Sequence, residues 1–472
     1  MAMTSPSPLG DRMLDRAAGS PPIPGNAVRL LIDGPEAFAA MLEVIASAER
    51  WIHFENYIIR SDATGERFAE ALIARAKAGV RVRVLADWFG SLGTRRRFWR
   101  RLRDQGVEVR IFDPPGLVDP LSHLGRDHRK LVAADGRDVI IGGLCIGNEW
   151  SGDPARGLLP WRDTAVRIQG PAAAAIDATF RPMWELAGGT IPATDHPGEV
   201  AACGAAAVRV VNETPGDART YRLLTAIAAG ARERIWITDA YLTPPAALRT
   251  AFVDAARDGC DVQFLVPGMS DVPLVRDLTR VGYRDLLASG IRIHEWDGPM
   301  LHAKTFVADG HLARIGSTNL NYASLLGNWE LDVLIDDAGL AGELERRFRL
   351  DINQSREVVR RIPAGPRIAA LLPDRLERAP GALEAVPRHA HSFRERRHRT
   401  VITLYSVAAG AGRSILLPIF LGVVLLGVAA FFLPHLVAGL TVLVALWLAQ
   451  SAARQLRRGR PGPAPTPGDG PA

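Results

Sequence analysis

Lysine is almost missing from this chain. Of 57 Lys and Arg residues in 472 positions, only Lys77, Lys130 and Lys304 are lysines, so arginine stands almost wherever a positive charge suffices. Cysteine is as sparse. Cys145, Cys203 and Cys260 are odd in number, widely spaced and form no Cys-x-x-Cys pair, which argues against a disulfide framework or structural zinc site and suits a reducing compartment. The first 26 residues lack an apolar run, so no signal peptide is expected there. What is abundant is apolar content, at 47%, enough for the cores of roughly two to three domains. A net charge of +6 suits an anionic partner, lipid headgroup or nucleic acid, without choosing between them.

Two of the three lysines fall in one repeated pattern. His128-Arg129-Lys130 through Asp135 and His302-Ala303-Lys304 through Asp309 both read His, one residue, Lys, four residues, Asp. Where arginine is otherwise preferred, a kept lysine points to a need for a compact ammonium with rotatable donors. In an extended strand, residues two apart share a face, so each His and Lys project together. The following Asp-Gly reads as a tight turn into a second strand, 139–143 in one copy and 312–317 in the other. Two imidazoles and two ammonium groups, brought together, suit a phosphodiester. The lysines would hold its non-bridging oxygens while one imidazole attacks phosphorus and the other protonates the departing oxygen. A lone His-x-Lys is more often a half-exposed strand; two in matching contexts carry chemistry.

The rest of the chain repeats with the motif. Strand-like and helix-like stretches alternate over 27–188, pause in a Gly- and Pro-bearing linker at 189–204, and return over 205–355. Trp51–Ile59 matches Arg234–Tyr241, Val80–Leu85 matches Asp261–Val266, and Val107–Phe112 matches Ile291–Trp296. The expected fold class is α/β, a tandem pair of sandwich halves with one site between them and a C-terminal transmembrane hairpin. Aligning the copies sets Trp161-Arg162-Asp163 on Asn328-Trp329-Glu330, which makes Asp163 and Glu330 equivalent. Residues 1–26 are expected to be disordered. Arg95 to Arg103 packs six arginines around Phe98 and Trp99, which suits an anionic bilayer, a nucleic acid or a solvated helix face.

Residues 356–400 form a Pro-punctuated connection. Positions 415–433 then run 19 residues without a charge, and 436–449 add 14 more. The first run nearly spans a bilayer core of about 30 Å. A transmembrane hairpin over 401–453, its basic flanks in the cytoplasm, is the expectation; a buried soluble hairpin is the alternative. The tail 454–472 is basic, rich in Pro and Gly, and expected to be disordered.

These motifs resemble the phospholipase D superfamily, most closely its bacterial cardiolipin synthases, over about residues 27–355. The second copy matches with His302, Lys304, Asp309, Gly316-Ser317-Thr318-Asn319 and Asn328-Trp329-Glu330. The first matches with His128, Lys130, Asp135, Gly142-Gly143 and Trp161-Arg162-Asp163-Thr164, and departs at Cys145, where the family usually has Asn. Cysteine is a poor partner for a phosphate oxygen, so the first half-site binds phosphate less well or borrows Asn148.

The resemblance implies catalytic roles for His128, Lys130, Asp135, His302, Lys304 and Asp309, the two Asp residues acting mainly on turn structure or lysine. It implies phosphate binding by Gly143, Ser317 and Asn319. Asp163 and Glu330 would each orient the histidine of their own half. No metal and no cofactor are implied. The expected activity is phosphatidyl transfer, condensing phosphatidylglycerol with a second phospholipid or alcohol through a phosphatidyl-histidine intermediate. A phospholipase D releasing phosphatidic acid is the alternative; a membrane-tethered lipid-binding scaffold with a decayed first half-site is another, and a nuclease is third. Phospholipids and the bacterial membrane are the expected partners, with no nucleic acid. The catalytic halves would lie on the cytoplasmic side of the inner membrane, anchored by residues 415–450. Family members usually carry membrane segments before the catalytic halves; this chain carries its own after them. Oligomeric state and the identity of the nucleophilic histidine stay open.

Overall fold

The structure, a computed structural model, describes residues 8–112 and 125–359, with Leu446 and Gln450. Its first half supplies β1 (Ile23–Ile32), β2 (Trp51–Asn56), β3 (Arg81–Asp87), β4 (Glu108–Phe112), β5 (Lys130–Ala134), β6 (Asp138–Gly142) and β7 (Thr164–Gln169). The second supplies β8 (Ala206–Glu213), β9 (Arg234–Thr238), β10 (Asp261–Pro267), β11 (Arg292–Trp296), β12 (Thr305–Ala308), β13 (Leu312–Gly316) and β14 (Glu330–Asp336), with β15 (Ser355–Glu357) added at the edge. The spatial order is β15-β11-β10-β9-β12-β13-β14-β8-β1-β7-β6-β5-β2-β3-β4. Read outward from the β1–β8 seam, both halves repeat one order. The duplication visible in the sequence is therefore a duplication of topology.

Parallel pairing within β2-β3-β4 and β9-β10-β11 needs helical crossovers, and these cover the outer faces. Helices Asp33–Ser47, Ala63–Lys77 and Arg96–Asp104 pack Phe38, Phe68 and Trp99 against Phe54 and Val84. Arg219–Gly230, Ala246–Arg257 and Pro273–Ala288 do the same for the second half, with Leu223 and Phe252 against Ile237 and Phe264. The inner faces share a third core in which Leu131, Ile141 and Val166 meet Val307, Ile315 and Val333. The chain bends at the seam, where the register shifts between Ile23 and Asn26 and Gly25 takes a φ of 87°. This lets β6 and β7 pack against β13 and β14.

One expectation needs correction and two are narrowed. The N-terminal stretch is not disordered throughout: Pro8–Ala18 is a helix and β1 begins at Ile23. Leu14, Ala17 and Ala18 lie on one helical face that the second half's core covers, and Asp11 and Asp15, one turn apart, grip the buried Arg209. The aromatics of the arginine-rich helix do not face outward; Phe98 and Trp99 are core, while Arg95, Arg96, Arg97 and Arg100 are exposed. Of the two roles open to Asp135 and Asp309, turn structure or lysine, both take the first. Each sits at a positive φ in its hairpin turn, and its carboxylate accepts three backbone N–H groups: Glu49, Arg50 and Trp51 for Asp135, Arg232, Glu233 and Arg234 for Asp309. The hairpin expected within 401–453 lies outside the described residues apart from Leu446 and Gln450. Among the described residues no helix is long and apolar enough to cross a membrane.

Asp135→Ala and Asp309→Ala should each cost about 1–3 kcal/mol in urea unfolding, since three N–H groups lose a charged acceptor. The folded fraction should keep its turnover. Lost turnover in a fully folded variant would instead place these residues in the chemistry.

Candidate active site

The two His-x-Lys segments enter their strands by crossing to the opposite half. Asp127 forms a parallel bridge with Trp329, and Leu301 forms one with Arg162. The His128 N–H donates to the Trp329 carbonyl at 3.0 Å, and the Trp329 N–H donates back to Arg126 at 2.9 Å. Likewise the His302 N–H donates to the Arg162 carbonyl at 2.7 Å, and the Arg162 N–H donates to Met300 at 2.9 Å. Each histidine is thus hooked by its backbone to the residue just before the other half's carboxylate.

The side chains follow. His128 Nδ1 lies 3.0 Å from both carboxylate oxygens of Glu330, and His302 Nδ1 lies 2.8 Å from Asp163 Oδ2. The expectation that each carboxylate orients its own half's histidine is therefore overturned: the partners are exchanged. With a carboxylate at Nδ1 that nitrogen carries the proton, and Nε2 keeps its lone pair. Both rings line one cavity of about 450 Å³.

Lys130 and Lys304 are buried behind the rings, and each ammonium donates to the carbonyl of its own motif histidine. Lys304 Nζ also lies 2.9 and 3.0 Å from the two ring nitrogens of His302. A tyrosine faces each ammonium, Tyr57 at 5.2 Å from Lys130 and Tyr241 at 5.9 Å from Lys304.

Burial dominates the electrostatics. It pushes His128 down to about 4 against the upward pull of Glu330, and with Lys304 it lowers His302. Burial also brings Lys304 down to about 8. For Asp163 burial acts upward, but His302 and Lys304 outweigh it and hold the carboxyl below its ordinary value. Glu330 is held low in the same way by His128, Lys130 and Ser317.

The three residues expected to bind phosphate divide. A Cβ on Gly143 would stand 2.2 Å from Asp163 Oδ1, so glycine here makes room for the carboxylate. Its counterpart Ser317 is fully buried, donates its hydroxyl to Glu330 and accepts the Leu331 N–H at 3.0 Å. Both support carboxylates and neither lines the cavity. Asn319 does line it, and among the described residues its Oδ1 has no hydrogen-bond partner. Cys145 occupies the matching place in the first half, its thiol kept neutral by burial. Asn148 is not among the residues lining the cavity; its amide oxygen instead accepts from the Thr64 N–H and hydroxyl.

Other lining residues were missed from the sequence. Trp150 donates its indole N–H to Asp163 Oδ2 at 2.9 Å and meets His302 edge-on. Trp161 packs beside it, and Tyr57 and Tyr241, which the sequence shows only as strand residues, line the cavity too. The cavity is also unequal in charge. Arg126 and Arg60, the latter paired with Glu149 Oε1 at 3.1 Å, line it, whereas Asp271, accepting from the Tyr241 hydroxyl at 2.7 Å, lies toward His302. Among the described residues no three His, Cys, Asp or Glu side chains are grouped to hold a metal ion.

Residues 41–184 and again 224–352 match the family described as cardiolipin synthase, PLD-like domain. The chain belongs to this family. Cardiolipin synthase A of Pseudomonas aeruginosa (strain LESB58) is 33% identical over 374 residues, 77% of this chain and 76% of that protein. The major cardiolipin synthase of Bacillus subtilis (strain 168) is 33% identical over 340 residues, 70% of each. The crystal structure of phosphatidylserine synthase from Haemophilus influenzae Rd KW20 shares the fold, with a TM-score of 0.60 at 15% identity over 74% of this chain and 92% of that one. Within this cardiolipin synthase family fold, the exchanged carboxylates are what tie the two half-sites into one.

The exchange can be read in solution. Asp163→Asn should push the His302 imidazole further down in an NMR titration and leave His128 unchanged, and Glu330→Gln should do the reverse; the opposite pairing would refute the exchange. A second outcome follows from linkage. Since His128 is held at about 4, below its ordinary 6.5, the unfolded chain takes up a proton over that window that the folded chain refuses. Stability should fall as pH is lowered from 6.5 toward 4. Urea midpoints of His128→Gln should show a shallower fall.

Proposed function

We propose that the protein transfers phosphatidyl groups in the manner of a cardiolipin synthase. The observation that carries this reading is two neutral imidazoles in one cavity, each fixed through Nδ1 by a carboxylate of the opposite half. One Nε2 attacks the phosphorus of a phosphatidylglycerol, forming a P–N bond as the P–O bond to glycerol breaks. The other imidazole, in its protonated form, gives its proton to the departing glycerol oxygen. It then takes a proton from an entering hydroxyl, which attacks phosphorus and frees the first imidazole. The anionic diester itself favours a cationic ring beside it, which offsets the burial that holds both rings neutral.

Lys130 and Lys304 place positive charge behind the phosphoryl position, and the Asn319 amide faces it from the second half. Arg60 and Arg126 suit an acceptor that brings its own phosphate, such as the headgroup of a second phosphatidylglycerol, better than they suit water. Tyrosine and tryptophan walls reduce the room for water. We place the chain at the inner membrane of a bacterium, catalytic halves toward the cytoplasm, with residues 415–450 as anchor. The scaffold reading is weakened because His128 keeps a carboxylate partner and a place in the cavity despite Cys145.

Glycerol-labelled phosphatidylglycerol, supplied to the purified full chain, should yield cardiolipin and one labelled glycerol per cardiolipin. Phosphatidic acid without cardiolipin would convert the enzyme to a hydrolase, and an unchanged lipid to a scaffold. His128→Ala and His302→Ala should each lower turnover by at least about 10³-fold.

A further inference from the structure

We infer that the rim of the cavity is a docking face for an anionic phospholipid bilayer, separate from any anchor at 415–450. This rests on the phosphatidyl-transfer reading and adds to it the route by which the lipid arrives.

The rim repeats where the loops do not. Arg81 faces Trp51 in the first half as Asp261 faces Arg234 in the second, and counting on from that register sets Phe89 against Met269 and Leu92 against Val272. Counting back from Asp163 and Glu330 sets Leu159 against Leu326. All six are exposed, led by Leu159 at 70% and Met269 at 64%. A single exposed leucine needs no explanation. Three matching positions, apolar and exposed in both halves, do need one, since the intervening sequences differ almost completely.

Val272 lines the cavity, and the other five each contact or closely neighbour a residue that does. The Phe89 ring lies 5.5 Å from the Arg126 guanidinium, which lines it. Leu92 precedes Gly93, whose side-chain position faces Arg60 Nη1 at 3.5 Å, and Arg60 lines it too. Val272 is itself a lining residue, Met269 is two residues from Asp271, and Leu159 and Leu326 are two residues from Trp161 and Asn328.

The occupant follows from charge and layout. The apolar positions are spaced around a polar cavity, as expected of side chains dipping into a membrane interface around a headgroup. Arg95, Arg96 and Arg97 are exposed beside them, since the Arg95 N–H donates to the Ser61 hydroxyl next to Arg60. Phe98 and Trp99 turn into the core, leaving charge alone on that surface. Cations at the level of lipid phosphates with apolar side chains just beyond them match an anionic bilayer. A diester could then reach the imidazoles while its acyl chains stay in hydrocarbon.

The test uses the full chain with vesicles of phosphatidylglycerol and phosphatidylcholine carrying a diazirine on the acyl chain. Irradiation should label peptides containing Leu159 and Met269. A Leu159→Gln, Met269→Gln variant should turn over vesicle phosphatidylglycerol at least about tenfold more slowly and keep its rate on monomeric dihexanoyl phosphatidylglycerol. Equal loss on both substrates would assign these residues to the site or the fold and overturn the inference. So would no loss and no acyl label, or a dimer that the variant dissolves, which would make a second copy the occupant. A wild-type chain inactive on both substrates would refute phosphatidyl transfer, and acyl labelling would still decide the docking face.

Discussion

The hydrogen bond between an imidazole of one half and a carboxylate of the other is the constraint on which this molecule depends. Glu330 and Asp163 are fully buried, and a buried carboxylate without a partner is costly. Each half gives its own carboxylate only neutral donors, Trp150 and the Thr164 N–H for Asp163 and Ser317 for Glu330, and the imidazole comes from the other half. Were the halves to separate, each carboxylate would lose its imidazole and each imidazole its carboxylate, so the same contacts that orient the candidate catalytic groups also hold the halves in register. The backbone bridges at Asp127–Trp329 and Leu301–Arg162 carry the exchange into the main chain.

Around that pair the two half-sites have diverged. Asn319 in one faces Cys145 in the other, and Ser317 braces its carboxylate where Gly143 merely admits one. The first half buries Glu55, Asp87 and Asp127 near its histidine, with Arg129 against Glu55, and burial pushes Asp87 up to about 6 and raises the other two; the second half buries Asp239 near Lys304, likewise pushed up to about 6. The positions matching Glu55, Asp87 and Asp127 are Thr238, Pro267 and Leu301, so the buried carboxylates sit at different places in the two halves. Unequal surroundings of this kind give two chemically identical rings different proton affinities, as a displacement that needs one base and one acid requires.

Much of the fold was legible because duplication and strand period are local properties. Alternating apolar stretches located the strands, and lysine scarcity singled out both motifs before any contact was known. The N-terminal helix was missed because its signal, Leu14, Ala17 and Ala18 with two aspartates, makes sense only once Arg209 is in place to be gripped. Ser317 and Gly143 were misread for a related reason: small residues beside a phosphate site and small residues beside a carboxylate look alike in one dimension.

By itself the sequence determined which side chains share a strand face: His with Lys, and Asp at the turn that follows. Spacing of two and seven residues encodes those relations directly. Only the tertiary structure decided which carboxylate each imidazole meets. Those partners lie 202 and 139 residues apart, and no local period reaches that far. Their choice comes from how the sheet folds at the β1–β8 seam, where packing of two apolar faces sets the halves opposite each other and exchanges their charges.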